Sequence, residues 1–287
     1  MKILVVTQYF WPENFKINDL CIELKKRDHE VNVLTGKPNY PTGKYFKGYN
    51  FYGYSEEYYE DIRVNRVPLF SRGKGGNFNL FFNYLSYVFF STIFLLFNKK
   101  KYDIIFCYAV SPITSAIPAL IAKYLYDAKF YIWIQDLWPE STYVNGRIKN
   151  RFIKFLLEKM VTLIYKKSDK IFIQAESMRK PILEKINADK IKNCDIIFLP
   201  NWAEDFYYRT INSGLKYSKL IPDDKFVVLF AGNIGSGIDI SSIIQAIDLL
   251  KSNNHIIFVF VGEGSEKRSF RNLVNTKNLG ESVLFLK

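Results

Sequence analysis

Asp136 and Glu140 stand four residues apart in the stretch KFYIWIQDLWPES, residues 129–141. Before them, Phe130 to Ile134 is an aromatic and β-branched run of the kind that forms a strand buried on both faces. In an open α/β sheet, ligands sit in the crevice beyond the carboxyl ends of the strands. A carboxylate at such an end could orient a hydroxyl or take up its proton. The competing reading makes Asp136 a cap of the helix that follows. A second set of residues suits phosphate. The turn GNIGSG, residues 232–237, follows an apolar run and opens a predicted helix, so it offers backbone N–H groups and a helix N-terminus to a diphosphate. A plain strand-to-helix turn would carry the same glycines. Gly262 and Gly264 predict another close backbone approach, beside Lys267, Arg268 and Arg271, which would equally suit a solvated helix face.

Other chemistries find no residues. Cys21, Cys107 and Cys194 are far apart and lack metal-ligand spacing, and His29 and His255 stand alone, so neither a metal site nor a disulfide framework is expected. Cys21 and Cys107 lie in apolar contexts and read as buried thiols of a reducing compartment. No G-x-G-x-x-G follows the first strand, which argues against a nicotinamide or flavin dinucleotide. The net charge of +12 predicts an anionic partner: nucleic acid, anionic lipid or a phosphorylated ligand. The usual helical and zinc modules of nucleic-acid binders are absent and the charge is spread widely, so nucleic acid is set aside.

The elements that must position these residues follow from the apolar runs. Residues 3–7, 31–34, 102–108, 130–134, 170–174 and 196–199 read as strands, separated by helices over 15–27, 111–125, 151–167 and 177–186. Residues 51–67 predict one further strand. The alternation is that of an α/β domain over residues 1–199. Residues 200–224 form a proline- and glycine-containing linker, and 225–287 begin a second α/β unit with strands at 226–231, 256–261 and 283–286. Three strands are few for a doubly wound half, so this unit is expected to be incomplete and unable by itself to bury a sufficient core. Met1-Lys2 runs straight into a strand, and no signal peptide is expected.

The window 77–98 carries no charge and is long enough to cross a bilayer. A span there would put strands of one sheet on opposite sides of the membrane. Asn79, Asn83 and Ser86 form one polar stripe, and Lys74 and Lys99 to Lys101 flank the window. It therefore reads either as a core helix or as a helix on an anionic membrane surface.

Six motifs in order carry a resemblance: WPE at 11–13, RDHEVNVLTGKPNYPTG at 27–43, QDLWPES at 135–141, LPNWAEDF at 199–206, FAGNIG at 230–235 and VGEG at 261–264. With them the chain resembles the family-4 glycosyltransferases of GT-B architecture, in particular the capsule and O-antigen branch that includes fucosamine transferases. The resemblance implies two facing Rossmann-like domains and retaining, metal-independent transfer from a nucleotide sugar, with no cofactor. The acceptor implied is a lipid-linked glycan, and the place the cytoplasm, with peripheral attachment to the inner face of the cell membrane. It sets Asp136, with Glu140 one turn on, in the cleft near the reacting sugar. Trp11, Pro12, Glu13 and Asn14 become a first loop near donor phosphates and acceptor. Gly232, Asn233 and Gly235 would face the diphosphate, with Gly262, Gly264 and Arg268 completing the donor side. Three departures stand out. Asp28 replaces the usual glycine of the RGHEV-like turn, and Asn233 stands where many relatives carry arginine, with the nearby lysine absent. The glutamate pair expected later in the donor domain lies beyond residue 287. A remnant that binds acceptor without catalysis is the alternative.

Overall fold

The computed structural model describes the chain except for residues 99, 142–149, 187–194, 205–220, 222–223, 236 and 287. It divides into two compact units, Met1–Trp202 and Ala203–Lys287. Most of the expected linker, and Cys194, lie outside the described residues.

The first unit is built on an eight-stranded sheet: β1 (Lys2–Val6), β2 (Glu30–Gly36), β3 (Ser55–Tyr59), β4 (Ile62–Val67), β5 (Ile104–Ala109), β6 (Lys129–Ile134), β7 (Lys170–Ile173) and β8 (Asp195–Phe198). Their order is β3-β4-β2-β1-β5-β6-β7-β8, and all pairings are parallel except β3 with β4. The chain leaves β1 toward β2 on one side and returns to β5 on the other. The crevice of such a sheet therefore opens at the carboxyl ends of β1 and β5.

Residues 51–67, expected as a single strand, contain the β3–β4 hairpin instead. Tyr59 pairs with Ile62 across Glu60-Asp61, and both turn residues have positive φ, 47° and 58°. Two left-handed residues make the turn whose twist matches the strands, but it is usually announced by glycine or asparagine, which this sequence lacks.

Period-two alternation assigns the core. Leu4 and Val6 of β1, with Phe130, Ile132 and Ile134 of β6, face helices α2 (Asn77–Phe97), α3 (Ala116–Tyr126), α4 (Arg151–Lys167) and α5 (Arg179–Ile186). Ile3 and Val5, with Trp133, face α1 (Lys16–Lys26), which contributes Ile17 and Cys21. Cys21 and Cys107 are buried free thiols. Asp28, at the glycine-like turn after α1, has φ 60°, a left-handed conformation that aspartate tolerates.

Helix α2 joins β4 to β5, and β5 pairs directly with β1, so topology keeps both ends of α2 on one side of any membrane. Of its polar stripe, Asn83 and Ser86 turn inward, whereas Asn79 is exposed. Asn83 and Ser86 are buried, while Phe78 and Phe97 are each 81% exposed. Asn83 accepts from Gln8 Nε2 at 2.7 Å and donates to the Phe70 carbonyl. The Ser86 hydroxyl accepts from the Phe70 N–H at 3.1 Å. The stripe thus ties the loop after β4 to the end of β1.

The second unit holds a parallel sheet in the order β11-β10-β9, from β9 (Phe226–Ala231), β10 (Ile256–Val261) and β11 (Val283–Leu286). Helices α6 (Ile240–Leu250) and α7 (Lys267–Thr276) bury Ile244, Ile247, Phe270 and Val274 against it.

Candidate active site

In the first unit, the loops beyond β1, β2, β4, β5 and β6 converge through polar contacts. Asp136 sits two residues past β6, and its carboxylate accepts the Ser111 N–H from the loop after β5. This is a tie across the carboxyl edge of the sheet. Trp138 donates from Nε1 to the Ser111 hydroxyl at 3.0 Å, so the two side chains bracket that residue. Burial raises the Asp136 pKa above the usual carboxylate range, against the lowering by the Ser111 N–H. Tyr108 of β5 lies beside it, its hydroxyl pushed up by burial and by the Asp136 charge while accepting the Lys16 N–H at the start of α1. The N-cap residue of α1, Phe15, offers no side-chain cap, and the Tyr108 hydroxyl takes the first N–H at this positive end.

The first loop is held from below. Glu13 is 2% exposed and accepts from the N–H groups of Asn39 at 2.9 Å, Tyr40 at 2.7 Å and Phe10 at 3.3 Å. It therefore joins the loop after β1 to the loop after β2. Burial dominates those three bonds and raises its pKa to about 7. Trp11 stacks on Tyr59 with ring centroids 4.8 Å apart, and its N–H donates to Asn18 Oδ1 at 3.0 Å. Pro12 is half-buried and Asn14 is exposed at the surface of the loop.

The raised Glu13 pKa has a signed consequence. The folded protein holds this proton to a higher pH than the unfolded chain, whose reference value is 4.5. The stabilisation is complete below that value and is lost as pH rises through about 7. We expect the wild type to lose about 1–3 kcal/mol relative to Glu13→Gln between pH 4.5 and 8 in denaturant titrations. A wild type that gains on the variant over that range would show that the three N–H bonds outweigh burial.

Glu140 goes elsewhere. Its carboxylate pairs with Lys185 of α5 at 2.9 Å, and Lys185 also holds Glu158 of α4 at 2.7 Å. The structure therefore joins Asp136 to Tyr108 and Ser111, and joins Glu140 to the helix layer.

Two cations missed in the sequence complete this edge. Arg66, fully buried, donates to the carbonyls of Gly36 at 3.1 Å and Trp11, and to Glu57 at 2.5 Å. Arg72 donates to the Tyr9 hydroxyl and lies over the rings of Tyr9, Tyr40 and Tyr84. Arg66 had a readable signal: alternation along β4 sets it in phase with the buried Ile62 and Val64, where a cation needs partners. A carboxamide cluster also closes the far side, with Asn201 donating to Gln135 at 2.9 Å and Gln174 at 2.6 Å.

In the second unit the glycines meet each other. A Cβ on Gly262, at φ +141°, would lie 1.9 Å from the Gly232 carbonyl oxygen, and one on Gly264 would lie 2.1 Å from that of Ile234. The N–H groups of Gly232 and Ile234 donate to Val261 and Glu263 at 2.9 Å. The close approach expected at 262–264 is thus to the neighbouring loop. Gly235 is buried against the Asn233 side chain, and Asn233 itself is exposed. Asp239 caps α6, accepting the Ser242 N–H at 3.2 Å, so a carboxylate already occupies that helix end. Lys267, read either as a cation beside the close approach or as part of a solvated face, is 8% exposed and donates to the Gly262 carbonyl at 2.6 Å and to Glu263 at 2.7 Å. Arg268 is exposed, and Arg271 lies over the Phe285 ring. Gly262→Ala should cost the second unit about 2–3 kcal/mol in thermal unfolding, since backbone and not a flexible side chain meets the new methyl. Parental stability would mean that the loop yields.

Comparison with known proteins places this architecture. A family model described as glycosyl transferases group 1 matches residues 215–287. Residues 215–287 thus carry the match to a group 1 glycosyltransferase domain. It is 26% identical over 298 residues to the putative colanic acid biosynthesis glycosyl transferase WcaI of Escherichia coli (strain K12), covering 99% of this chain and 71% of that one. It is 25% identical over 214 residues to the probable glycosyltransferase WbjE of Pseudomonas aeruginosa, covering 73% of this chain and 50% of that one. The chain thus spans half the length of the second relative. The solved structure of Anabaena HepE in complex with UDP superposes with a TM-score of 0.56 at 12% identity, over 100% of this chain and 69% of that one. The fold is of the GT-B type. Gly232, Asn233, Gly235, Gly262, Gly264 and Arg268 fall inside the matched domain, whereas Asp136 and the first loop lie in the part aligned with WcaI.

Proposed function

We propose that the chain transfers a sugar, with retention, from a nucleotide-sugar donor to a lipid-linked saccharide during surface polysaccharide synthesis. The observation that carries the reading is Asp136. It is a half-buried carboxylate of raised pKa at the carboxyl edge of the sheet, beside Tyr108 and the start of α1. A carboxylate held there would orient the attacking acceptor hydroxyl or take up its proton, and the helix end would favour the donor phosphates. The first loop, Trp11 to Asn14, would shape the acceptor side, and the Gly232–Gly235 and Gly262–Gly264 loops, with Arg268, the donor side. Glu140, tied to Lys185, would hold the segment that carries Asp136.

The named relatives support this reading: one is assigned to colanic acid biosynthesis, and HepE is described in complex with UDP. The exposed phenylalanines of α2, flanked by lysines, would hold the protein to the inner face of an anionic membrane, where a lipid-linked acceptor is found. The test is release of nucleoside diphosphate from a panel of nucleotide sugars in the presence of lipid-diphosphate saccharides. Nucleotide release that requires acceptor supports the reading. No release from any donor, with binding of none, would overturn it.

A further inference from the structure

Beside the first loop lies a cavity of about 440 Å³ that the proposed transfer does not use, lined among others by Lys37, Lys47, Tyr49, Tyr52, Ser55 and Glu57. Arg66 connects it to the first loop: the guanidinium that donates to the Trp11 carbonyl lies over the Tyr49 ring, 5.1 Å from its centroid. The floor is continuous with the same loop, because the Lys37 carbonyl accepts from Asn39, whose N–H donates to Glu13.

Lys37 is the unusual residue here. It directly follows β2 and is only 5% exposed. Its ammonium donates to the Ser55 hydroxyl at 2.6 Å, which uses one of its three N–H bonds. The nearby acid is taken: Glu57 accepts from Arg66 at 2.5 Å and from the Tyr49 hydroxyl at 3.1 Å on each oxygen. Burial, and then the like charge of Arg66, lowers the Lys37 pKa, against a smaller raising by the Glu57 charge. A buried cation is ordinarily paired, because an unpaired one is costly. An ammonium with donors to spare, lining a polar cavity with a second lysine at its wall, is the arrangement of a site awaiting an anion. Tyr52, 80% exposed, adds a ring face with a polar tip, a surface that suits the apolar face and hydroxyls of a sugar ring, and Tyr49 adds ring surface beside it.

We propose that this cavity binds a saccharide through an anionic group, a carboxylate or a phosphate, held by Lys37 and Lys47 against the tyrosine rings. If the transferase reading above holds, the cavity selects acceptors that carry an acidic sugar or sugar phosphate next to the one that reacts. The binding itself does not depend on that reading.

The test titrates the whole chain, with no donor present, by calorimetry against methyl β-glucuronoside, glucose 1-phosphate, methyl glucoside and inorganic phosphate. We expect at least one of the two anionic sugars to bind about 10–100-fold tighter than methyl glucoside, the scale of a charge-assisted hydrogen bond. The sugar that wins identifies the group. Lys37→Met should erase that preference. Tyr52→Ala, a change at an exposed residue, should weaken both sugars while leaving the melting temperature unchanged, and it decides the matter should Lys37→Met fail to fold. Equal binding of charged and neutral sugars, no binding, or a preference that survives Lys37→Met would overturn the proposal. Inorganic phosphate binding as tightly as glucose 1-phosphate would overturn its saccharide part.

Discussion

Asp136→Asn is expected to lower the rate of sugar transfer by about 10²–10⁴-fold, the range of a lost general base or hydroxyl-orienting carboxylate. The amide is nearly isosteric and keeps an oxygen to accept the Ser111 N–H, so the fold should survive. What disappears is the charge beside Tyr108. Because burial already raises the Asp136 pKa, the wild-type rate should fall toward acid pH as the carboxylate protonates, and that limb should vanish in the variant. Glu140→Gln supplies the contrast. Its carboxylate is engaged by Lys185, so removing the charge should act through stability, with melting temperature lowered and kcat changed far less. Turnover of Asp136→Asn within a few-fold of the parent would remove Asp136 from the reaction.

The contrast between these two acids also shows what the sequence could reveal. The strand Lys129–Ile134 was legible because its apolar run is continuous, and the position of Asp136 just beyond it followed directly. The partner of Glu140 was not legible. Lys185 arrives from a helix forty-five residues later, and only packing of α4 beside α5 brings it near. The glycines of the second unit teach the same lesson. Their spacing signals a close approach, but spacing does not say to what, and here the Gly232 and Ile234 carbonyls fill the space. Lys267 parts from its neighbours for a simpler reason. Neighbouring helix positions point in different directions, so of Lys267, Arg268 and Arg271 only the first turns inward, toward the Gly262 carbonyl. The β3–β4 hairpin lacked its usual turn residues, and Lys37 and Arg66 act through loops that no local pattern connects.

Helix α2 carries the other large expected effect. In a water-soluble helix the polar residues face out, yet here Asn83, Ser86 and Ser91 are buried while Phe78, Phe81, Leu85, Phe89, Leu96 and Phe97 are exposed. The inward stripe has a structural reason, since Asn83 and Ser86 satisfy Gln8 and the Phe70 backbone. Of the outward phenylalanines, Phe81 and Phe89 meet only the edges of their helix neighbours Phe82 and Phe90 among the described ring contacts. A contiguous apolar surface of this kind marks an interaction site, and the charge nearby selects among partners. Lys74, Lys100 and Lys101 are exposed at the two ends of the helix, which suits anionic headgroups, each contributing about 1 kcal/mol near the surface. Burying a phenylalanine side chain is worth about 1.5–3 kcal/mol, so three together outweigh the lysines. Phe78→Ser, Phe81→Ser and Phe89→Ser combined should therefore weaken sedimentation with vesicles of anionic phospholipid by about 10²-fold or more. The melting temperature should hold, because none of the three is buried. High salt should weaken the wild type only in part, since screening reaches the lysines and leaves the apolar contribution in place. A wild type that stays in the supernatant with every lipid composition would leave the membrane no part in explaining this helix.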